Sequence, residues 1–171
     1  LKDPRNEGET IGMIEHAPYE TGKGVEIIRR LRELALEGRV RGKRESLREM
    51  IGRVRADLEV ERPLDAELVV LIGADANHVL VDRIQIELVL RNLIVNAMEA
   101  LEGQLFRRIE IGSRNLREEI EMAVRDSGPR MSEDVHARLF EPFFSTKRHG
   151  AGLGLPICKV IVEAHGGRLE A

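Results

Sequence analysis

Two asparagines and a glutamate occupy one face of a strongly apolar predicted helix, Arg83 to Leu101. Asn92, Asn96 and Glu99 follow one another at spacings of four and three residues, which places them on one side of a helix. Most other residues of this segment are apolar, so amide groups on this polar stripe need partners. Asparagine oxygens can ligate Mg²⁺, and a solvated polar face is the alternative. The two asparagines alone leave both interpretations open.

An acidic turn follows the predicted strand 120–125. Asp126 comes directly after this strand and is followed by Ser127 and Gly128. A carboxylate at a strand end can accept a hydrogen bond from an exocyclic amine, and Gly128 lets the backbone approach a flat ring. Asp-Ser-Gly is also an ordinary turn sequence, so this motif alone does not decide between a ligand contact and a turn.

Alternating glycines precede the last predicted helix, which spans residues 155–165 and has Pro156 in its first turn. The segment GAGLGL contains Gly150, Gly152, Gly154 and Leu155, with Lys147, Arg148 and His149 directly upstream. Free backbone amides before a helix N-terminus suit a phosphate group. The loop lacks the Gly-Lys-Ser/Thr ending of a Walker A motif and does not follow a strand as in a Rossmann fold. A flexible loop is the alternative.

Three of the four phenylalanines lie within five residues, at Phe140, Phe143 and Phe144. In so aromatic-poor a chain, this cluster indicates hydrophobic anchoring of the long loop before the glycines. We expect these side chains to fix the hinges of a lid.

The remaining patterns predict a mixed α and β domain. Ser46 and Glu49 form a capping-box pattern, and Asp82 with Gln85 marks a second helix start. The predicted elements are a helix from Ser46 to about Asp57, strands 68–72 and 78–81, the helix 83–101, and two strands joined by residues 115–118 as a hairpin. Helices on one face of a mixed sheet make an α+β, two-layer α/β sandwich.

Composition excludes several classes of protein. The 171 residues are 42% hydrophobic and 33% charged, which is typical of a globular domain and not of a disordered chain. A net charge of −3 gives no support to nucleic-acid binding. A lone cysteine, Cys158, excludes an internal disulfide and predicts a reducing, cytoplasmic setting. Since no run of residues in it has the apolar length or pattern required, we expect neither a signal peptide nor a membrane-spanning helix in this sequence.

A second amphipathic segment, residues 25–37, has no obvious partner within the chain. Its apolar stripe fits either a helical bundle with another chain or missing segment, or packing on its own domain. The basic segment GRVRGKRE follows it as a linker. Arg168 to Ala171 has the pattern of a strand start, so we expect the sheet to be completed by chain beyond Ala171.

Four motifs in this order resemble a known family. RNLIVNAMEAL, DSGPRM, LFEPFFSTK and GAGLGL are similar to the N, G1, F and G2 boxes of sensor histidine kinases, most closely FixL-like, PAS-linked kinases. This GHKL (Bergerat) group includes gyrase, MutL and heat-shock chaperone ATPases. The segments EIIRRLREL and LPICKVIVEAHGGRLEA extend the resemblance over residues 24–171.

The resemblance implies an ATP- and Mg²⁺-dependent protein-histidine kinase. Asn96 matches the Mg²⁺-ligating asparagine, Asp126 the adenine-reading aspartate and Gly128 its supporting glycine. Asn92 replaces the glutamate that activates water in the related ATPases, and an amide cannot serve as that base. With Lys147 it is assigned to catalysis. The implied nucleotide-binding set is Asn96, Asp126, Gly128, Lys147, Gly150, Gly152, Gly154 and Leu155.

Two departures from the family pattern stand out. Arg130 replaces the second glycine of the G1 box, which either weakens nucleotide binding or adds a cation beside it. None of the five histidines is in an H-box pattern, so the phosphoacceptor histidine is expected upstream of Leu1.

The implied organisation is a dimerisation-hairpin remnant at 1–38, a linker at 39–45 and a catalytic domain at 46–171. The implied partners are a second copy of the chain through the hairpin, a response regulator and an upstream sensor domain such as PAS. A GHKL ATPase or serine-directed kinase, and a degenerate nucleotide-binding module, are the alternatives.

Overall fold

The computed structural model describes residues 42–61, 63–147 and 151–171. The predicted helix at 25–37, and with it the 1–38 domain, lies outside this part of the chain. The described elements are β1 (Lys43–Ser46), α1 (Leu47–Glu61), β2 (Glu67–Ile72), β3 (His78–Val81), α2 (Arg83–Ala100), β4 (Arg108–Leu116), β5 (Glu119–Asp126), α3 (Glu133–Arg138) and α4 (Gly154–Ala164).

The main sheet is mixed, as predicted, with the strand order β2-β4-β5. Strand β2 runs parallel to β4, with Glu67 opposite Arg108. Strands β4 and β5 are antiparallel, with Ile109 opposite Asp126. Strands β1 and β3 form a separate two-stranded antiparallel sheet.

One face of the main sheet is covered by helices and the other is exposed and carries mostly charged side chains, which confirms the two-layer α+β architecture. The alternation of β4 directs Ile109 and Ile111 inward, where both are fully buried. On the outer face Arg114 donates to the Glu121 carboxylate at 2.7 Å across the β4–β5 pair. The buried cluster joins the sheet to α1, α2 and α4 through Met50, Ile51, Leu90, Ile94, Leu101, Cys158 and Ile161, among others.

Several boundaries differ from the sequence prediction. Helix α1 continues past Asp57 to Glu61, because Leu58 belongs to its buried face. The hairpin turn is shorter than 115–118, since pairing extends to Leu116 opposite Glu119. Arg117 adopts a φ of 60° in that turn.

Three short elements were not predicted, one of which is a 3₁₀ turn at Ala74–Ala76. Strand β1 begins within the segment that the sequence assigns to a linker, and α3 lies between the acidic turn and the phenylalanines. Residues 168–171 form no strand in the described structure.

Of the two hydrogen bonds predicted for the capping box at the start of α1, the structure shows one. The Ser46 hydroxyl accepts from the Glu49 amide at 3.3 Å. The Glu49 carboxylate does not reach back as predicted; it lies 3.7 Å from the Arg53 guanidinium one turn ahead. None of the described helices has the length and apolar character needed to span a membrane.

Candidate functional site

Helix α2 is the floor of the candidate site. The Asp82 carboxylate caps it by accepting from the Gln85 amide at 3.2 Å, as the sequence predicts. Ile86, Val89, Leu90, Ile94, Ala97 and Met98 are buried against the sheet and the neighbouring helices. Positions 92, 96 and 100 are spaced by four residues, so they follow one another along one face of the helix. Each of these three positions contacts a different predicted motif.

Asn92 contacts the first turn of α4. Its amide nitrogen donates to the Leu88 carbonyl at 3.1 Å, and a Cβ placed on Gly154 would lie 3.3 Å from its Oδ1. One turn further along α4, the Cys158 thiol donates to the Val89 carbonyl of α2 at 3.9 Å. Burial raises the pKa of the Cys158 thiol to about 11, so this thiol is neutral near pH 7.

Asn96 contacts the loop that carries the phenylalanines. The Lys147 ammonium donates to Asn96 Oδ1 at 3.1 Å and forms an ion pair with the Glu99 carboxylate. The Asn96 oxygen therefore already accepts from a cation, and its chemistry fits a hard metal ion such as Mg²⁺.

The last turn of α2 contacts the acidic turn. A Cβ on Gly128 would lie 3.0 Å from the Ala100 carbonyl oxygen and 2.7 Å from Asp126 Oδ1, so a side chain here would make the turn and the end of α2 shift apart. The Gly128 amide donates to Asp126 Oδ1 at 2.8 Å. The Ser127 hydroxyl fixes the turn to the start of β4, accepting from the Arg108 amide at 3.0 Å and donating to the Phe106 carbonyl at 3.1 Å. The segment thus forms a hydrogen-bonded turn, and the contact of its carboxylate with a ligand stays a prediction.

Backbone contacts join the phenylalanine segment to the glycine loop. The Phe143 amide donates to the Gly152 carbonyl at 2.9 Å. Gly152 has a φ of +65°, and a Cβ there would lie 2.5 Å from the Phe143 carbonyl carbon. The Arg138 guanidinium carbon lies 4.2 Å from the centroid of the Phe144 ring, and Lys159 Nζ lies 5.2 Å from the centroid of the Phe140 ring. The segment is thus held by a backbone hydrogen bond and two cation–π contacts, and none of the three rings belongs to the buried core. Their hydrophobic anchoring of a lid stays a prediction.

The structure brings most of the predicted site residues to α2. Asn92 is beside Gly154, Asn96 is beside Lys147, and the turn of Asp126 and Gly128 lies at the end of the helix. Leu155 is half-buried in the first turn of α4. Arg148, His149 and Gly150 lie outside the described residues. Arg130 is exposed after the acidic turn.

The sequence analysis gave no role to two residues that contribute to the candidate site, Glu99 and Ala100. Glu99 was identified on the polar face of α2, but its ion pair joins residues 48 positions apart, which no local pattern reveals. Ala100 carries no polar side chain, and its carbonyl acts through close packing alone. The four-residue spacing from Asn92 to Asn96 and on to Ala100 was the available signal.

Comparisons with known proteins identify relatives of this chain. Residues 81–171 match the family described as histidine kinase-, DNA gyrase B-, and HSP90-like ATPase. The chain is 36% identical over 171 residues to the sensor protein FixL of Bradyrhizobium diazoefficiens, covering 99% of this chain and 34% of FixL. It is 42% identical over 113 residues to the C4-dicarboxylate transport sensor protein DctS of Rhodobacter capsulatus, covering 65% of this chain and 17% of DctS. The chain thus spans about a third or less of these relatives.

A solved structure of the catalytic domain of histidine kinase ThkA is similar, with a TM-score of 0.62 and 34% identity. The match covers 72% of this chain and 81% of that domain. The structure of ThkA in complex with its response regulator protein TrrA matches at a TM-score of 0.62 and 27% identity, over 98% of this chain and 47% of that one.

Proposed function

This chain belongs to the histidine kinase-, DNA gyrase B- and HSP90-like ATPase family as a sensor histidine kinase catalytic domain, and we propose that it phosphorylates a histidine of its own dimerisation hairpin. ATP is the phosphoryl donor. The acceptor lies upstream of Leu1, and the phosphoryl group passes from it to an aspartate of a response regulator. The similarity to a kinase that was solved with its response regulator supports this second step.

The convergence of three motifs on one face of α2 carries the proposal. In the proposed complex Asp126 accepts from the adenine amine, with Gly128 keeping the turn close to the ring. Asn96 holds Mg²⁺, which supplies positive charge against the phosphates when bound. Lys147 adds a second cation. Gly152 and Gly154 leave backbone amides free near the N-terminus of α4, and Leu155 lies at the same helix start. Gly150 remains a predicted member of this set.

Asn92 favours transfer to protein rather than to water. A carboxylate at this position could remove a proton from water, whereas an amide has no basic oxygen of comparable strength. The amide nitrogen of Asn92 is also engaged by the Leu88 carbonyl. A phosphate-release assay therefore separates this proposal from an ATPase. We expect little release from the chain alone, and phosphohistidine when a hairpin domain carrying the acceptor is added.

Calorimetric titration with a non-hydrolysable ATP analogue tests the nucleotide site. We expect Asn96→Ala to remove most of the affinity gained from Mg²⁺, at least about tenfold, as expected for loss of a metal ligand. Asn115→Ala is the matched control, since this asparagine lies on β4 and contacts the Asp75 carbonyl. Equal Mg²⁺-dependent affinity in Asn96→Ala and the unaltered chain would contradict the assignment.

The larger assembly follows from the same proposal. The apolar stripe of residues 25–37 belongs to the second helix of the hairpin, through which two copies dimerise. A sensor domain, of PAS type by similarity to FixL, precedes the hairpin, and the catalytic domain works in the cytoplasm. Light scattering on a longer chain that includes the hairpin tests the dimer, and a monomeric mass would contradict it.

A further inference from the structure

We propose that Glu99 is a positioning residue that holds the Lys147 ammonium on Asn96 when no nucleotide is bound, so that Mg²⁺ must displace it. Lys147 then acts as an internal cation in the place of the metal. This inference rests on the proposed Mg²⁺ role of Asn96.

The three side chains form one closed group. Lys147 Nζ lies 3.1 Å from Asn96 Oδ1 and pairs with the Glu99 carboxylate in the same arrangement. Asn96 and Glu99 are three residues apart, so adjacent turns of α2 present both oxygens to one ammonium. The side chains of Lys147 and Glu99 are 38% and 32% exposed, which shields the pair partly from solvent.

Two cations cannot share the Asn96 oxygen at low cost. Mg²⁺ binds oxygen at about 2.1 Å, and the ammonium lies 3.1 Å from the same atom. The two like charges would be only a few ångströms apart in a partly shielded site, where their repulsion is strong. Metal binding at Asn96 therefore requires Lys147 to leave.

The Lys147 ammonium can move while the backbone of this residue stays in place. Its amide donates to the Ser145 hydroxyl at 3.1 Å, which fixes the local loop, while the ammonium is at the end of a flexible four-carbon stem. A displaced ammonium can pair with a phosphate oxygen that arrives with the metal. The same lysine thus serves the empty and the loaded site.

The direction in which Glu99→Gln changes the Mg²⁺-dependent nucleotide affinity separates this role from the obvious alternative. If Glu99 simply attracts Mg²⁺ by its charge, Glu99→Gln weakens metal-dependent nucleotide affinity. If Glu99 holds the competing lysine, Glu99→Gln weakens the competitor and strengthens that affinity. A purely structural role would produce no increase.

The experiment is calorimetric titration of the 171-residue chain with the non-hydrolysable analogue, in Mg²⁺ and in EDTA. We expect Glu99→Gln to raise affinity in Mg²⁺ about two- to fivefold, the range of an exposed ion pair, with a smaller change in EDTA. The increase should vanish in a Lys147→Met background and persist in Lys147→Arg. Glu121→Gln, which breaks the ion pair with Arg114 on the outer sheet face, should leave the affinity unchanged.

A second readout needs no ligand. In Mg²⁺-free buffer we expect Glu99→Gln and Lys147→Met each to lower Tm by about 1 to 3 °C, and the double variant to lower it no further. An unchanged or lower Mg²⁺-dependent affinity in Glu99→Gln overturns the proposal, as does an increase that survives Lys147→Met. Retained Mg²⁺ dependence in Asn96→Ala instead contradicts the proposed metal ligand, so the two failures are distinguishable.

Discussion

Gly152 illustrates how a single residue fixes the path of the glycine loop. Its φ of +65° lies in the region that disfavours a side chain, and a Cβ would lie 2.5 Å from the Phe143 carbonyl carbon. We expect Gly152→Ala to lower the free energy of unfolding by about 2 to 4 kcal/mol, measured by urea denaturation. Nucleotide affinity should fall with it, because the loop must move.

Gly103 provides the matched control for this substitution. It has a φ of +77°, but a Cβ there would meet nothing within 4 Å. Gly103→Ala should therefore cost only the backbone strain, about 1 kcal/mol. Equal costs at the two positions would show that the contact with Phe143 contributes nothing.

The buried thiol of Cys158 makes the stability of the chain depend on pH in the alkaline range. Burial raises the pKa of its thiol from 9.0 to about 11, so the folded state retains a proton that the unfolded state loses. The resulting stability is complete below pH 9 and is lost as pH rises through 11. We expect the unaltered chain to lose about 2 kcal/mol more than Cys158→Ala between pH 9 and 11, measured by urea denaturation at each pH.

The reactivity of the thiol checks the same prediction independently. A buried neutral thiol reacts with a disulfide reagent only as fast as the chain opens, so we expect labelling at pH 8 to follow unfolding. Parallel pH profiles for the two proteins, or rapid labelling of the folded chain, would contradict the buried thiol.

At the residue scale, the sequence indicated which residues belong to the candidate site better than it indicated their contacts. Residue type and local spacing alone left other interpretations open for Asn92, Asn96, Asp126 and Gly128, which could be selected from sequence only because they lie in motifs that follow the order of a known family. The pairing of Lys147 with Glu99 could not, because 48 residues separate them and only the completed fold brings them together.

At the scale of elements, Asn77 takes part in capping α1 from a distant position. Its Oδ1 accepts from the Arg48 amide at 3.0 Å, and its carbonyl accepts from the Leu47 amide at 2.8 Å. Free amides at a helix start need such partners. We expect Asn77→Ala to lower the free energy of unfolding by about 1 kcal/mol, measured by urea denaturation.

Glu49→Ala distinguishes this distant cap from the capping box predicted by sequence. The Glu49 carboxylate faces Arg53 in an exposed pair, so its loss should change stability by less than about 0.5 kcal/mol. A larger loss in Glu49→Ala than in Asn77→Ala would restore the capping box as the dominant cap.

Hydrophobic periodicity predicted the longer helices and strands, and shorter elements were missed for physical reasons. Strand β1 is only four residues long, and its sequence KRES has no apolar alternation, so its pairing with β3 is a tertiary effect. The hairpin turn contains Arg117 at a φ of 60°, where sequence rules favour Gly or Asn. Helix α3 has no buried residue and therefore no apolar stripe to detect.

At the scale of the molecule, α2 lies between the sheet, α1 and α4, and His165 joins two of these parts. Its Nε2 accepts from the Asp82 amide at 3.0 Å, while its Nδ1 donates to the Ile161 carbonyl at 2.8 Å. One ring thus ties the end of α4 to the start of α2. The glycine loop and Asn92 both depend on how these two helices sit together.

We expect His165→Ala to lower the free energy of unfolding by about 2 kcal/mol, because it leaves the half-buried Asp82 amide without its acceptor. His78→Ala, at an exposed position on β3, should cost less than about 1 kcal/mol. Amide hydrogen exchange of Asp82 reports the contact directly and should accelerate in His165→Ala but not in His78→Ala. If Asp82 stays protected in His165→Ala, the ring does not join the helices, and the sheet and core alone set the angle between α2 and α4.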